Sequence, residues 1–155
     1  MRTILRLIAL STVPLCGCGT LPPAAPPAPP FNTVVSVKQL MEWVVDPAVD
    51  VIWDSVATIY TEAGTKEIAP HTDEQWAAVR NSAATVAESG NLLMMEGRAR
   101  DRTEWMSAAR ALTVAANRAL DAAEARNVKA LFTAGEGIYD ACSACHLRYA
   151  SHLNK

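Results

Sequence analysis

Close to the end of the chain two cysteines stand three apart, with a histidine directly after the second: Cys142-Ser143-Ala144-Cys145-His146. On a helix, residues i, i+3 and i+4 share one face, so both sulfurs and the imidazole can address a single object. Two thiols followed at once by an imidazole form the pattern of a c-type haem attachment site. Each sulfur can form a thioether with one of the two vinyl groups on one porphyrin edge, and the histidine can reach the iron as proximal ligand. Two other chemistries use the same cysteine spacing. A redox disulfide sits in a βαβ setting, which this sequence does not offer. A zinc site needs a second pair of ligands, and no matching half-site stands elsewhere in the chain.

The elements that must position these residues read as helices. The chain has 155 residues, half of them hydrophobic, enough for one domain with a full core. A formal net charge of −2 argues against a nucleic-acid partner. Abundant alanine and few aromatics bias the chain towards helix. Val34, Val37, Met41, Val44, Ala48, Ile52, Val56 and Ile59 recur at three- and four-residue steps. They predict a first helix over about 34–60, kinked or broken at Asp46-Pro47, because proline cannot continue the hydrogen-bond ladder. Residues 64–70 read as a loop. Thr72-Asp73-Glu74-Gln75 is a capping box that opens a second helix over about 73–96, burying Trp76, Val79, Ala83, Val86 and Ala87. Gly97 and the basic run Arg98, Arg100, Arg102 form a turn. A third helix over about 103–125 turns Trp105, Ala108, Leu112, Ala116 and Ala119 inward. Asn127 caps a fourth over about 128–151, with Val128, Leu131, Gly135, Ile138, Cys142, Cys145 and Tyr149 as its stripe. No strand pattern competes. The expected architecture is all-α, an antiparallel up-down four-helix bundle with the CxxCH motif at its C-terminal end.

The first 32 residues stand apart. Arg2 and Arg6 followed by the apolar run 4–13 read as a secretory signal over residues 1–17, and that run is too short to cross a membrane as a helix. Leu15-Cys16-Gly17-Cys18 is similar to the end of a bacterial lipoprotein signal, with a leucine three residues before Cys18 and a small residue directly before it. That resemblance implies lipid on Cys18 and anchoring on the periplasmic side of a bacterial membrane. The four cysteines are then all assigned: Cys16 leaves with the signal, Cys18 carries lipid, and Cys142 and Cys145 carry haem. Residues 18–32 follow as a tether. Six prolines in residues 20–31 favour extended polyproline II, which at ~3.1 Å per residue spans roughly 35 Å. The folded domain is expected over 33–155.

With the attachment motif near the C-terminus of the last of four helices, the chain over about 33–155 resembles the cytochrome c′ family, the class II cytochromes c. Small class I cytochromes place the motif near the N-terminus and are less similar. The resemblance implies one covalently attached haem c per chain, lying between the first and fourth helices, with His146 on the iron and helix one facing the open side of the metal. That makes Met41 the residue to watch. In family members that present a methionine there, the iron is six-coordinate and the protein carries electrons; in those with an apolar side chain, the iron is five-coordinate and binds NO or CO. A methionine opposite histidine raises the reduction potential, whereas methionine at helical spacing also serves as core filler. Two departures from the family stand out. Pro47 interrupts helix one soon after Met41, and the arginine that many members carry in helix one is absent, leaving Lys38 as the nearest base for a haem propionate. Many members also form homodimers through the first two helices.

The remaining candidates are weaker. His71 precedes helix two, and His152 follows His146 on the same chain end. Met94, Met95 and Met106 belong to the middle helices. Gly135 and Gly137 follow no strand and are read as sites of close helix approach rather than a nucleotide loop. Trp43, Trp53, Trp76 and Trp105 are expected in the core. The expected function is one-electron transfer between redox partner proteins with His146 and Met41 as axial ligands. The alternative is capture of NO or CO at a five-coordinate iron gated by Met41. No acid–base pair flanks the haem stripe, so an enzyme is not expected.

Overall fold

A computed structural model describes residues 31–150. The signal region 1–17, Cys18, the tether up to Pro30 and His152 lie outside the described residues. The first helical stretch has three parts. Helix α1, Val37–Leu40, starts from a capping box in which Ser36 and Gln39 bond each other's backbone amides. A π-helical turn follows over Met41–Val45, and its mark is the Asp46 amide donating to the Met41 carbonyl five residues back. Helix α2 then runs Asp46–Asp54 with Pro47 in its first turn. The break therefore falls before the proline. In a continuous α-helix Pro47 would have no amide hydrogen for the Trp43 carbonyl and its ring would press on that oxygen, at a cost of about 3 kcal/mol or more. A widened turn relieves the clash. It also resets the buried row, which runs Leu40, Val45, Ala48, Val49, Ile52 and Val56. Val34 and Ile59, expected on that row, are exposed.

The helix ends at Asp54, and this corrects the expected architecture. Residues 57–68 form an antiparallel hairpin, strands β1 (Ala57–Thr61) and β2 (Gly64–Ile68), with Ala57 opposite Ile68 and Thr61 opposite Gly64. The fold is thus mostly helical with a two-stranded sheet, and an all-α four-helix bundle does not describe it. The physical reason lies in the residues. Thr58, Ile59, Thr61 and Thr65 are β-branched, which favours strand over helix. Gly64 has φ +129°, a conformation that L side chains rarely adopt. The Thr61 hydroxyl donates to the Gly64 carbonyl across the turn, at 3.0 Å.

Helix α3, Asp73–Met94, starts from the Thr72–Gln75 capping box as the sequence predicts. Helix α4 is Glu104–Glu124 and α5 is Val128–Tyr149, the latter capped by Asn127 accepting from the Ala130 amide at 3.0 Å. Helix α4 packs on both α3 and α5, and α2 packs on α3 and α5. Trp76 and Trp105 are buried, and the Trp105 indole donates to the Leu93 carbonyl at 2.7 Å. Trp43 is 61% exposed and Trp53 is half-exposed, so neither is a core residue. Trp53 instead lies over α5, its indole donating to the Gly135 carbonyl at 3.0 Å, and a Cβ on Gly135 would meet the ring at 3.3 Å. Arg98 is buried, with no carboxylate paired to it among the described residues: its guanidinium reaches the carbonyls of Val35 and Leu92 and the sulfur of Met95.

The tightest approach lies between α3 and α4. The Thr113 hydroxyl donates to the Ala87 carbonyl at 3.1 Å. A Cβ on Gly90 would fall 2.0 Å from that hydroxyl oxygen and 2.8 Å from the Ala109 carbonyl. Because one of the obstructing atoms is backbone, Gly90→Ala should lower unfolding free energy by about 2–3 kcal/mol, the range of overpacked cores. Gly137→Ala serves as the control. Its nearest atom, the Ala115 Cβ, is 3.9 Å away, so the helix preference for alanine should raise stability by roughly 0.5–1 kcal/mol. Urea unfolding of both variants measures the pair.

Candidate functional site

The α1 segment, the π turn, α4 and α5 enclose an apolar cavity of about 360 Å³, within the size range of cofactor and ligand sites. Helix α5 contributes Cys142, Cys145, His146 and Tyr149 to its wall, the one-face spacing of the motif at work. The first helical stretch contributes Val37, Lys38, Met41, Glu42, Val45 and Asp46. Leu93, Trp105 and Leu112 close it from α3 and α4. Cys142, Cys145, His146 and Met41, from opposite ends of the sequence, therefore border one space.

Both cysteines are free, half-buried thiols. Burial pushes the Cys142 thiol up to about 11, helped by the carboxylate of Asp46 and by Cys145; burial also raises Cys145. At neutral pH both are protonated, which makes them poor nucleophiles. The Asp46 carboxyl is raised by burial, an effect partly opposed by His146 and reinforced by Asp50 and Glu42. Met41 is partly buried and packs on the hydrophobic core. Lys38 pairs with Glu42 at 2.9 Å, with both side chains largely exposed.

Sequence reasoning overlooked Arg100, which the α3–α4 connection brings to the cavity wall. The basic run around it read as a turn, and nothing local tells Arg100 from Arg102. It also overlooked Asp101, which anchors the site's last helix. The Asp101 carboxylate accepts from the amides of Thr103 and Trp105 at 2.9 and 3.0 Å, so it caps α4 in place of Thr103, and it also accepts from the Tyr149 hydroxyl. The Tyr149 ring meets Trp105 edge-on at 5.0 Å, and Arg148 pairs with Glu104 beside it. The Tyr149 hydroxyl, then the Trp105 amide, hold Asp101 down to about 2. His71 lies away from the cavity, where its backbone amide donates to Gln75. Met94, Met95, Met106 and Trp43 are likewise absent from the cavity wall.

The donor set fits a covalently held haem: two neighbouring protonated thiols, an imidazole next to them, a thioether on a second element and apolar walls. Among the described residues no three His, Cys, Asp or Glu side chains converge as a metal cage. Comparison with protein-family models, with curated proteins and with solved structures gave no match.

Two outcomes are expected. In protein made without haem, alkylation of Cys142 should be slow at pH 7 and rise about tenfold per pH unit towards pH 11, because only the thiolate reacts. Mass spectrometry of iodoacetamide adducts follows this, and fast labelling at pH 7 would contradict the burial argument. The Asp101 bonds act with the opposite sign on pH. A depressed carboxylate stabilises the fold above its unfolded value near 4 and loses that contribution as pH falls towards 2. Asp101→Ala should therefore lower Tm at pH 7 and flatten the fall in Tm between about pH 4 and 2.

Proposed function

We propose that this chain is a c-type haem protein that carries single electrons. Cys142 and Cys145 would be the thioether donors, and His146 and Met41 would supply the protein's two ligands to the iron. The single observation that supports the reading is the shared cavity: the CxxCH residues of α5 and the methionine of the first helical stretch border one apolar space. Haem bound there supplies a reversible ferric–ferrous couple. The protein's own residues do the rest. The thiols stand on one helix face one turn apart and hold the group by its edge. His146 gives a nitrogen ligand from that same helix. Met41 gives a soft sulfur from another element, which favours the reduced metal. Val37, Val45, Leu93 and Leu112 line the cavity and would limit access of water to the bound group. Arg100 on the wall would be a cation for propionates, and Lys38 a second if it left its pair with Glu42. With Cys18 lipidated and the proline-rich stretch as a spacer, the domain would work on the periplasmic side of a bacterial membrane, exchanging electrons with partner proteins there.

Met41 also packs on the core like an ordinary apolar side chain. That favours a second reading, in which the iron is five-coordinate, Met41 is a gate, and the ligand is NO or CO. One experiment separates the two. Protein matured in cells with cytochrome assembly machinery should gain the mass of one haem, and the gain should vanish in Cys142→Ala/Cys145→Ala. Its ferric spectrum should be low-spin with a sulfur-to-iron charge-transfer band that Met41→Ala abolishes. A high-spin spectrum unchanged by Met41→Ala would select gas binding, and bare polypeptide would end both readings.

A further inference from the structure

We infer that Pro47 is a positioning residue for Met41, acting through the π turn that separates them. The inference rests on Met41 being an iron ligand for its functional meaning, but its structural half stands alone. Three observations carry it. The turn Met41–Val45 lies directly before Pro47 and is closed by the Asp46 amide on the Met41 carbonyl. Leu40 and Val45, five residues apart, are both 2% exposed and share the core. Met41 is less deeply buried: it touches the edge of the core and lines the cavity with Asp46, five residues on, while Val45 borders both core and cavity.

An α-helix turns about 100° per residue, so residues four apart share a row and residues five apart do not. With α2 fixed by Val45, Ala48, Val49 and Ile52, a continuous α-helix would place Met41 on the core row, four before Val45, and would turn Leu40 off it. The extra residue in the π turn rotates everything upstream by one position. Leu40 then takes the core row, and Met41 takes the row of Asp46, which faces the cavity. Pro47 is the local reason for the extra residue, since the Trp43 carbonyl cannot find an amide at position 47 and the ring crowds it. Within the turn, Glu42 and Trp43 are exposed, so their side chains do not demand it. The proline that seemed to disturb the register of the first helix is what sets it.

The test uses the full-length protein matured with haem, and four chains: wild type, Met41→Ala, Pro47→Ala, and Pro47→Ala with Trp43 deleted. In Pro47→Ala the helix can close as α, so the sulfur-to-iron band should fall to a minor fraction of wild type. Deleting one exposed residue from the turn restores the phase of residues 37–42 against α2, so the double change should bring the band back. Thermal unfolding confirms that each chain is folded before its spectrum counts. A second readout is independent of iron: the NMR coupling through the hydrogen bond from the Asp46 amide to the Met41 carbonyl should be present in wild type and absent in Pro47→Ala. A wild-type band in Pro47→Ala, or a folded double variant without the band, overturns the role of Pro47 while Met41→Ala still reports ligation. If Met41→Ala leaves the spectrum untouched, the ligand reading fails, and the coupling alone decides whether Pro47 sets the turn: its survival in Pro47→Ala overturns the inference, its loss upholds it.

Discussion

Helix α4 is packed on two sides, against α3 and against α5, and it can be so only because its faces are small. Ala115, Ala116, Ala119, Ala122 and Ala123 are all buried along it. Alanine fills little space, so neighbouring helices must come close to remove the gap, and protein interiors tolerate few gaps. On the α3 side the approach is so close that Gly90 and Thr113 interlock. Towards the start of α4, the face turned to α5 and the first helical stretch is left open. There Ala108, Ala109 and Leu112 border the cavity, with Ala141 of α5 facing the same space. One helix of small residues thus sets tight packing along most of its length and a chamber at one end.

The chamber needs its walls held apart at fixed positions, and the polar contacts at that end do this. Asp101 joins the first turn of α4 to the last turn of α5 through Tyr149, and Arg148 and Glu104 join the same two turns again. The Trp105 indole ties the base of α4 to the end of α3. The last turn of the helix that carries Cys142, Cys145 and His146 is therefore anchored just beyond the motif. A side chain placed by a helix that is itself clamped at its end loses little freedom when it takes up a ligand.

Much of this was readable from residue order, and the failures have a common physical cause. The capping box at Thr72 and the cap at Asn127 are local signals, complete within four residues, and the structure has both. The cysteines and histidine share a face because helix geometry requires it. What could not be read depends on partners distant in sequence. The hairpin at 57–68 has only five residues per strand and most of them are exposed, so no alternating pattern marks it, and Val56 and Ile59 continued the helical spacing by coincidence. Trp43 and Trp53 look like core residues by type, yet one is exposed and the other lies across α5. The π turn shifts every upstream residue by one place, which a fixed period cannot show. Arg100 and Asp101 gained their places only once α3 and α4 were folded together.

Arg98 has a mechanical consequence. Its guanidinium grips the Val35 carbonyl just ahead of α1 and the Leu92 carbonyl near the end of α3, 63 and 6 residues away along the chain. Tension applied along the strand of backbone entering α1 would thus be taken up by the α3–α4 connection, two residues from Arg100, before it could unwind the first turn of the helix. The domain has a strain-bearing rivet ahead of α1, two residues along the chain from Arg100 on the wall of the apolar chamber.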